Sequence, residues 1–179
     1  MKTARIAIDD FINDKDSECK IYEMEHPDVL LWAIWAIQQY AKECSLEACR
    51  DQYADLLMRI YDFIRNNRHS NLRVTANGLL ATYGRDKAVT WMNSTANGRP
   101  VVPRTGYVVE INALWYNALK FIEEMAVLTN NEDVKNSLQR LIPLAGKAFT
   151  EVFLNEHGYL YDYVDGDGMD AVQQRLFIH

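Results

Sequence analysis

Apolar residues recur at intervals of three and four along four stretches of this chain, with polar segments rich in glycine, proline and asparagine between them. In the first stretch Leu30, Ile34, Ile37 and Ala41 form one helical stripe, and Leu31, Trp35 and Gln38 form its neighbour. Pro27 precedes them, where its missing N–H costs nothing in a first turn. A helix apolar around this much of its circumference is expected to be internal. The second stretch runs from Leu46 to about Arg65, with its stripe on Tyr53, Leu56, Leu57, Ile60, Phe63 and Ile64. Arg50, Asp51, Arg59 and Asp62 face away from that stripe, so this reads as a one-sided outer helix.

Asparagines end this pattern at 66–71, and 72–80 reads as a loop or a short strand pair with Gly78 at a turn. The third stretch begins near Val109 and continues through Leu119, Phe121, Ile122, Met125 and Ala126. Asn130 and Asn131 end it and are placed to cap a fourth helix, with Glu132 and Asp133 suited to that helix's first turn. The fourth carries Val134, Leu138, Leu141, Ile142, Ala145, Phe149, Val152 and Phe153, and Gly158 stops it. Pro143 lies inside, where a lost donor and a crowded turn predict a kink or a split. The expectation is an all-α fold of two or more antiparallel helical hairpins over residues 25–179, after an irregular lead-in over 1–24, with wide loops at one end.

Composition narrows the function more than the fold. The chain has 179 residues, enough for one domain that buries roughly 70% of its unfolded surface. Its net charge of −6, with acidic residues spread out, argues against a nucleic-acid or anionic-membrane partner, either of which favours a basic stripe. No apolar run approaches the roughly 20 residues that cross a bilayer, and an acidic run stands near the start where a secretion signal has an apolar core. Cys19, Cys44 and Cys49 are an odd number without metal or redox spacing. Reduced thiols in a cytoplasmic protein are the plain reading. The four histidines (His26, His69, His157, His179) show no metal spacing, and no phosphate loop or nucleophile elbow occurs. Asp165, Gly166, Asp167, Gly168 and Asp170 alternate carboxylates, but without the length and terminal glutamate of a calcium loop they read as a turn. Neither a metal nor a cofactor is expected.

The segment from Val89 to Leu119 carries the candidate chemistry. A polar loop with Gly98, Pro100, Pro103 and Gly106 leads into a helix bearing Glu110, Asn112, Tyr116 and Asn117 beside the stripe of Ile111, Leu114, Trp115, Ala118 and Leu119. A tryptophan-flanked loop feeding a helix that starts with a carboxylate suits a sugar cleft, and suits a well-packed helix start equally. Thr90-Trp91-Met92-Asn93, then Pro103-Arg104-Thr105-Gly106, then the unbroken run from Val109 to Leu119 resemble the central signature of the bacterial and archaeal glycogen-debranching enzymes, the amylo-1,6-glucosidase catalytic domain. That last run is long and unusual in composition, so the resemblance is specific. It extends to Asp28 through Trp32 with Ala36 through Tyr40, to Asn77-Gly78-Leu79-Leu80, and to Gly158 through Gly166, covering about Asp28 to Phe177.

The resemblance implies an (α/α)6 toroid that removes a single α-1,6-linked glucose from a branch point of glycogen or limit dextrin by inversion. The helices counted here make a piece of such a ring or a shortened relative, with an α-glucan or maltooligosaccharide as ligand. Part of a ring leaves apolar helix flanks open, which suggests a homodimer.

Inverting hydrolysis needs two carboxyl groups roughly 6.5–9.5 Å apart, one protonated to donate to the leaving oxygen and one ionised to activate water. In the family the acid is the aspartate after Thr-Trp-Met, and in this chain that position is Asn93. An amide hydrogen-bonds the same oxygen but does not supply a proton as a carboxylic acid does. The family's base lies beyond the segment that matches this chain's end, so no residue inherits that role. The family's arginine-proline run after the aspartate-rich loop is also replaced, by Val172-Gln173-Gln174-Arg175-Leu176-Phe177. Together these departures imply weak hydrolysis or none, leaving a carbohydrate-binding or structural remnant as the alternative.

For sugar contact the resemblance points to Glu110, which otherwise is a helix-start carboxylate, and to Asp28, which otherwise is a capping group. It also points to Trp32, Trp91 and Trp115, as stacking platforms or core residues, and to Asn112, Tyr161 and Asp162.

Overall fold

The structure, a computed structural model, describes Tyr22 and residues 26–84, 86–92, 94–165 and 173–175. Four long helices form two antiparallel pairs: α1 (Asp28–Glu43) with α2 (Leu46–Arg65), and α3 (Val109–Leu128) with α4 (Glu132–Phe153). Helix α3 also packs on α1 and α2, which brings both pairs around one core.

The all-α expectation needs correction, because a five-stranded antiparallel sheet covers one end of the helices. Its strands are β1 (Leu72–Val74), β2 (Leu80–Thr82), β5 (Gly106–Val108), β6 (Tyr163–Asp165) and β7 (Gln173–Arg175), in that spatial order. A separate two-stranded ribbon joins β3 (Thr95–Ala96) to β4 (Arg99–Pro100). Strands of two or three residues are too short for a period-two pattern to register, so their loops read as irregular. The strand pair anticipated around Gly78 is the β1–β2 hairpin, in register at Arg73↔Ala81. The lead-in anticipated over 1–24 lies outside the described residues except for Tyr22, whose ring packs 4.7 Å from that of Phe63.

Local chemistry accounts for the helix ends. Ser45 is extended and its hydroxyl accepts from the Ala48 N–H at 3.1 Å, starting α2 after the short break that ends α1. The Asn131 side chain accepts from the Val134 N–H at 3.2 Å, so the anticipated cap of α4 is present. Pro143 neither splits nor ends α4, which is continuous from Glu132 to Phe153. The proline is exposed, so water can reach the carbonyl left without its donor.

Helix α1 differs from the internal helix its composition suggests. Leu30, Leu31, Ile34, Ile37 and Ala41 are buried, yet Trp32 and Trp35 stand about 40% exposed, edge to face with ring centres 5.7 Å apart. Among the described residues nothing covers that side.

The junction of sheet and helices is where the fold becomes specific. Strand β5 runs directly into α3 with no side-chain cap, and the Val109 N–H donates instead to the Asp162 carbonyl at 3.0 Å. Buried Asn112 extends the β2 ladder past the end of β5: its carbonyl oxygen accepts from Leu80 N–H at 2.7 Å, and its amide donates to the carbonyls of Leu80 and Val108, both at 3.0 Å. Gly78 has φ +85°, and a Cβ there would lie 3.1 Å from Leu141 Cδ1 and 3.2 Å from the Ala145 backbone nitrogen. Only glycine lets this turn take that conformation against α4. A second, smaller core of Leu79, Ala81, Tyr107, Ala148, Phe153 and Val164 fills the space between the sheet and the end of α4. Among the described residues no helix is long and apolar enough to cross a membrane.

Candidate functional site

Three separate segments converge on one buried cation. Arg104, in the loop before β5, is 4% exposed. Its Nε and Nη2 donate to the two oxygens of Asp162 at 3.0 and 2.6 Å. Its Nη2 also donates to Glu110 Oε2 at 2.7 Å, while Nη1 donates to Glu110 Oε1. Nη1 further approaches Thr90 Oγ1 at 3.4 Å and Met92 Sδ at 3.3 Å. One planar guanidinium thus holds two carboxylates by paired bonds, a geometry lysine's point charge cannot reproduce. Burial alone pulls the Arg104 pKa down, but the hydrogen bonds and charges of Glu110 and Asp162 outweigh it and leave it raised. Arg104 is therefore a permanent cation.

The chain supplies this arrangement by placing each group at an element's edge. Glu110 stands in the first turn of α3, where the helix end favours a carboxylate. Asp162 immediately precedes β6, and its carbonyl already accepts from Val109. The backbone that orients α3 therefore also sets both carboxylates.

Above the ion cluster, Trp91 lies 61% exposed in the β2–β3 loop. Its indole N–H donates to Glu110 Oε1 at 3.2 Å, and its backbone N–H donates to Asp28 Oδ2 at 2.9 Å. These two bonds tie the loop to the starts of both α1 and α3. Asp28 is itself only 4% exposed. Trp32, Trp91 and Met92 beside this cluster are all partly open to solvent, and Trp35 stands edge to face against Trp32.

Burial raises the Asp28 carboxyl pKa, and this outweighs the opposing effects of the Trp91 N–H, the charge of His26, its own backbone N–H and Trp32. A raised folded value means the protonated form is favoured by folding, so the associated stability is full below the ordinary carboxylate value. It is lost as pH rises through the raised one. Asp28→Asn is accordingly expected to remove this contribution, so that the stability of the variant relative to the parent rises from acid toward neutral pH. Urea midpoints of the two proteins across that range test this, and parallel pH profiles would refute it.

The structure brings only some of the anticipated site residues together. Asp28, Trp91, Glu110 and Asp162 share one bonded network with Arg104, and Trp32 lies one turn after Asp28 on α1. Trp115 and Asn112 lie in the interior. Trp115 is fully buried, its indole N–H donating to the Gly78 carbonyl at 3.0 Å and its ring stacked on Tyr61, so no ligand reaches it. Asn112 bridges strand and helix as described. Tyr161 packs at the edge of the smaller core and lines a depression with Glu151, Asn155 and His157, apart from the tryptophans. Asn93 lies outside the described residues, as does most of the aspartate-rich loop, 166–172.

Arg104, Thr90 and Trp35 were not anticipated as site residues. Arg104 stands in the loop between Pro103 and Gly106, and nothing in that loop signals that Glu110 in the next helix and Asp162, 58 residues on, both enclose it. Of the cysteines, Cys44 is exposed and Cys49 buried, both free, and burial with a smaller effect of Cys44 pushes the Cys49 thiol up to about 11. It is an inert core thiol.

Comparison with protein families matches the sequence, over residues 12–176, to the family described as amylo-alpha-1,6-glucosidase. The chain belongs to the amylo-alpha-1,6-glucosidase family. No curated protein and no solved structure matches it. The family match spans every element of the cluster, from Asp28 on α1 to Asp162 before β6, so the network is built within the amylo-alpha-1,6-glucosidase domain.

Proposed function

We propose that this chain is an α-glucan-recognising member of the amylo-alpha-1,6-glucosidase family in which hydrolysis of α-1,6-linked glucose is weak or absent. The observation that carries this reading is the pairing of exposed indoles with an ordered carboxylate floor. Trp91 donates to Glu110 by its indole and to Asp28 by its backbone while exposing ring surface to solvent, and Trp32 exposes its own ring one turn after Asp28. Apolar ring faces beside fixed hydrogen-bond acceptors suit a pyranose, which offers C–H faces and equatorial hydroxyls. On this reading α1 to α4 form one sector of an (α/α)6 ring, and the indoles line its cleft.

The weakness of hydrolysis rests on Asn93. The general acid must carry a transferable proton to the departing glycosidic oxygen, and an amide has none at neutral pH. Asn93 retains only the ability to hydrogen-bond that oxygen.

Tryptophan fluorescence of the folded chain, titrated with a 6-O-α-glucosyl maltooligosaccharide and with a linear maltooligosaccharide, tests recognition. Saturable change that prefers the branched ligand and weakens about tenfold in Trp91→Ala, a loss of about 1.4 kcal/mol, is expected. No change with either ligand would mean that the family signature persists here as packing. Glucose release from a branched dextrin tests the chemistry separately: the parent is expected to be near background, with a gain in Asn93→Asp if the base is present.

A further inference from the structure

A second cleft, independent of the tryptophan-lined site, opens between the end of α2 and the outer face of α4. It has a volume of about 370 Å³ and is lined by Arg65, Asp133, Asn136, Ser137, Arg140 and two leucines. The helices are in register here: Tyr61, one turn before Arg65, lies 3.5 Å from Ser137 by its hydroxyl.

The two arginines lack acidic partners among the described residues. On α2 the carboxylate nearest Arg65 is Asp62, one turn back, but Asp62 is engaged by Arg68 at 2.7 Å and by the Asn66 amide at 2.6 Å. On α4 the helical neighbours of Arg140 at three and four residues are Asn136, Ser137, Pro143 and Leu144, none of them acidic. In a protein of net charge −6, two unpaired guanidinium groups from different helices on one concavity form a local positive site. Asp133 stands at the edge of the same cleft, one turn before Asn136 and Ser137.

We propose that this α2–α4 cleft binds a hydroxyl-bearing phosphomonoester, with Arg65 and Arg140 holding the phosphate. Each guanidinium offers paired donors to phosphate oxygens. Asn136, Ser137 and Asp133 face the hydroxylated part, and Leu141 and Leu144 supply apolar surface for its carbon skeleton. The Asp133 carboxylate gives the site its discrimination. It repels the phosphate of either ligand alike, but it accepts hydrogen bonds only from the hydroxyls of an ester. The cleft volume is within the range of small-molecule sites. This site shares no residue with the tryptophan network, so it stands or falls apart from the function proposed above.

Calorimetric titration of the full chain at constant ionic strength tests the assignment with glucose 6-phosphate, inorganic phosphate and glucose as probes. Glucose 6-phosphate is expected to bind saturably and more tightly than inorganic phosphate. Arg65→Gln and Arg140→Gln, at exposed positions, should each weaken it about tenfold or more, the loss typical of a charge-assisted hydrogen bond. Asp133→Asn should tighten inorganic phosphate several-fold and the ester less, because the ester also loses a charged hydrogen-bond acceptor, a divergence that a purely structural role would not produce. Unchanged affinity in both arginine variants, or no saturable binding of either phosphate, overturns the site. Equal affinity for phosphate and ester overturns the ester in favour of the free ion, and binding of glucose at the same strength shows that phosphate is not what is recognised.

Discussion

Arg104→Met is expected to lower the free energy of unfolding by about 3 kcal/mol, the low end of the cost of breaking a buried ion pair. The variant keeps an unbranched side chain and much of its volume but leaves Glu110 and Asp162 facing each other without the cation that both contact. The low end applies because their side chains remain 25% and 21% exposed, so water recovers part of the lost solvation. Arg104→Lys should recover only part of the loss, since an ammonium cannot make paired bonds to two carboxylates at once. Removing all three charges together, as Arg104→Met with Glu110→Gln and Asp162→Asn, should restore much of the stability, because the desolvation cost disappears with the charges. Urea unfolding of the three variants provides the measurement. A single Arg104→Met that unfolds at the parental midpoint would show that the cluster is not a stabilising contact. The triple variant also separates stability from recognition, since it should fold yet fail to bind branched oligosaccharide.

Trp115→Ala is expected to cost about 3–5 kcal/mol, as large aromatic truncations in closed cores do. Trp115 has no exposed surface, stacks on Tyr61 with ring centres 6.3 Å apart, and connects α3 to the β1–β2 turn through its bond to Gly78. Trp115→Phe keeps most of the ring but leaves the buried Gly78 carbonyl without its donor, and should cost about 1–3 kcal/mol. Thermal and urea unfolding check both values. If Trp115→Phe lost branched-ligand binding without losing stability, the residue would be acting at the site rather than in the core.

The two predictions expose two kinds of residue that look alike along the chain. Trp91 and Trp115 both belong to the segment that carries the family resemblance, and both are candidates for stacking on sugar. One is largely exposed over the carboxylates and the other is enclosed. Their difference lies in what packs against them, Tyr61 of α2 and the Gly78 turn in one case and solvent in the other. Helical spacing puts Trp115 on the stripe with Ile111 and Ala118 and leans it toward the core, whereas a loop tryptophan has no such periodicity to consult.

What the sequence determined by itself was whatever repeats over short range. The helical periods placed the four helices, with α2 at Leu46–Arg65 as the pattern predicts and Asn131 as the cap of α4. The unbroken run from Val109 to Leu119 carried the family, since so long a string of unusual composition leaves few alternatives. The tertiary structure decided the rest. Strands of three residues have no period to read, and their pairing, such as Ala81 with Tyr107 or Tyr107 with Val164, joins segments far apart in the chain. The burial of Arg104 follows from that pairing, because β5 beside β6 is what brings Asp162 to the start of α3. The partial exposure of Trp32 and Trp35 arises in the same way, from which side of α1 the other helices cover. A side chain's charge and size are written in the chain, but its solvent and its partners are set by residues that only folding brings near.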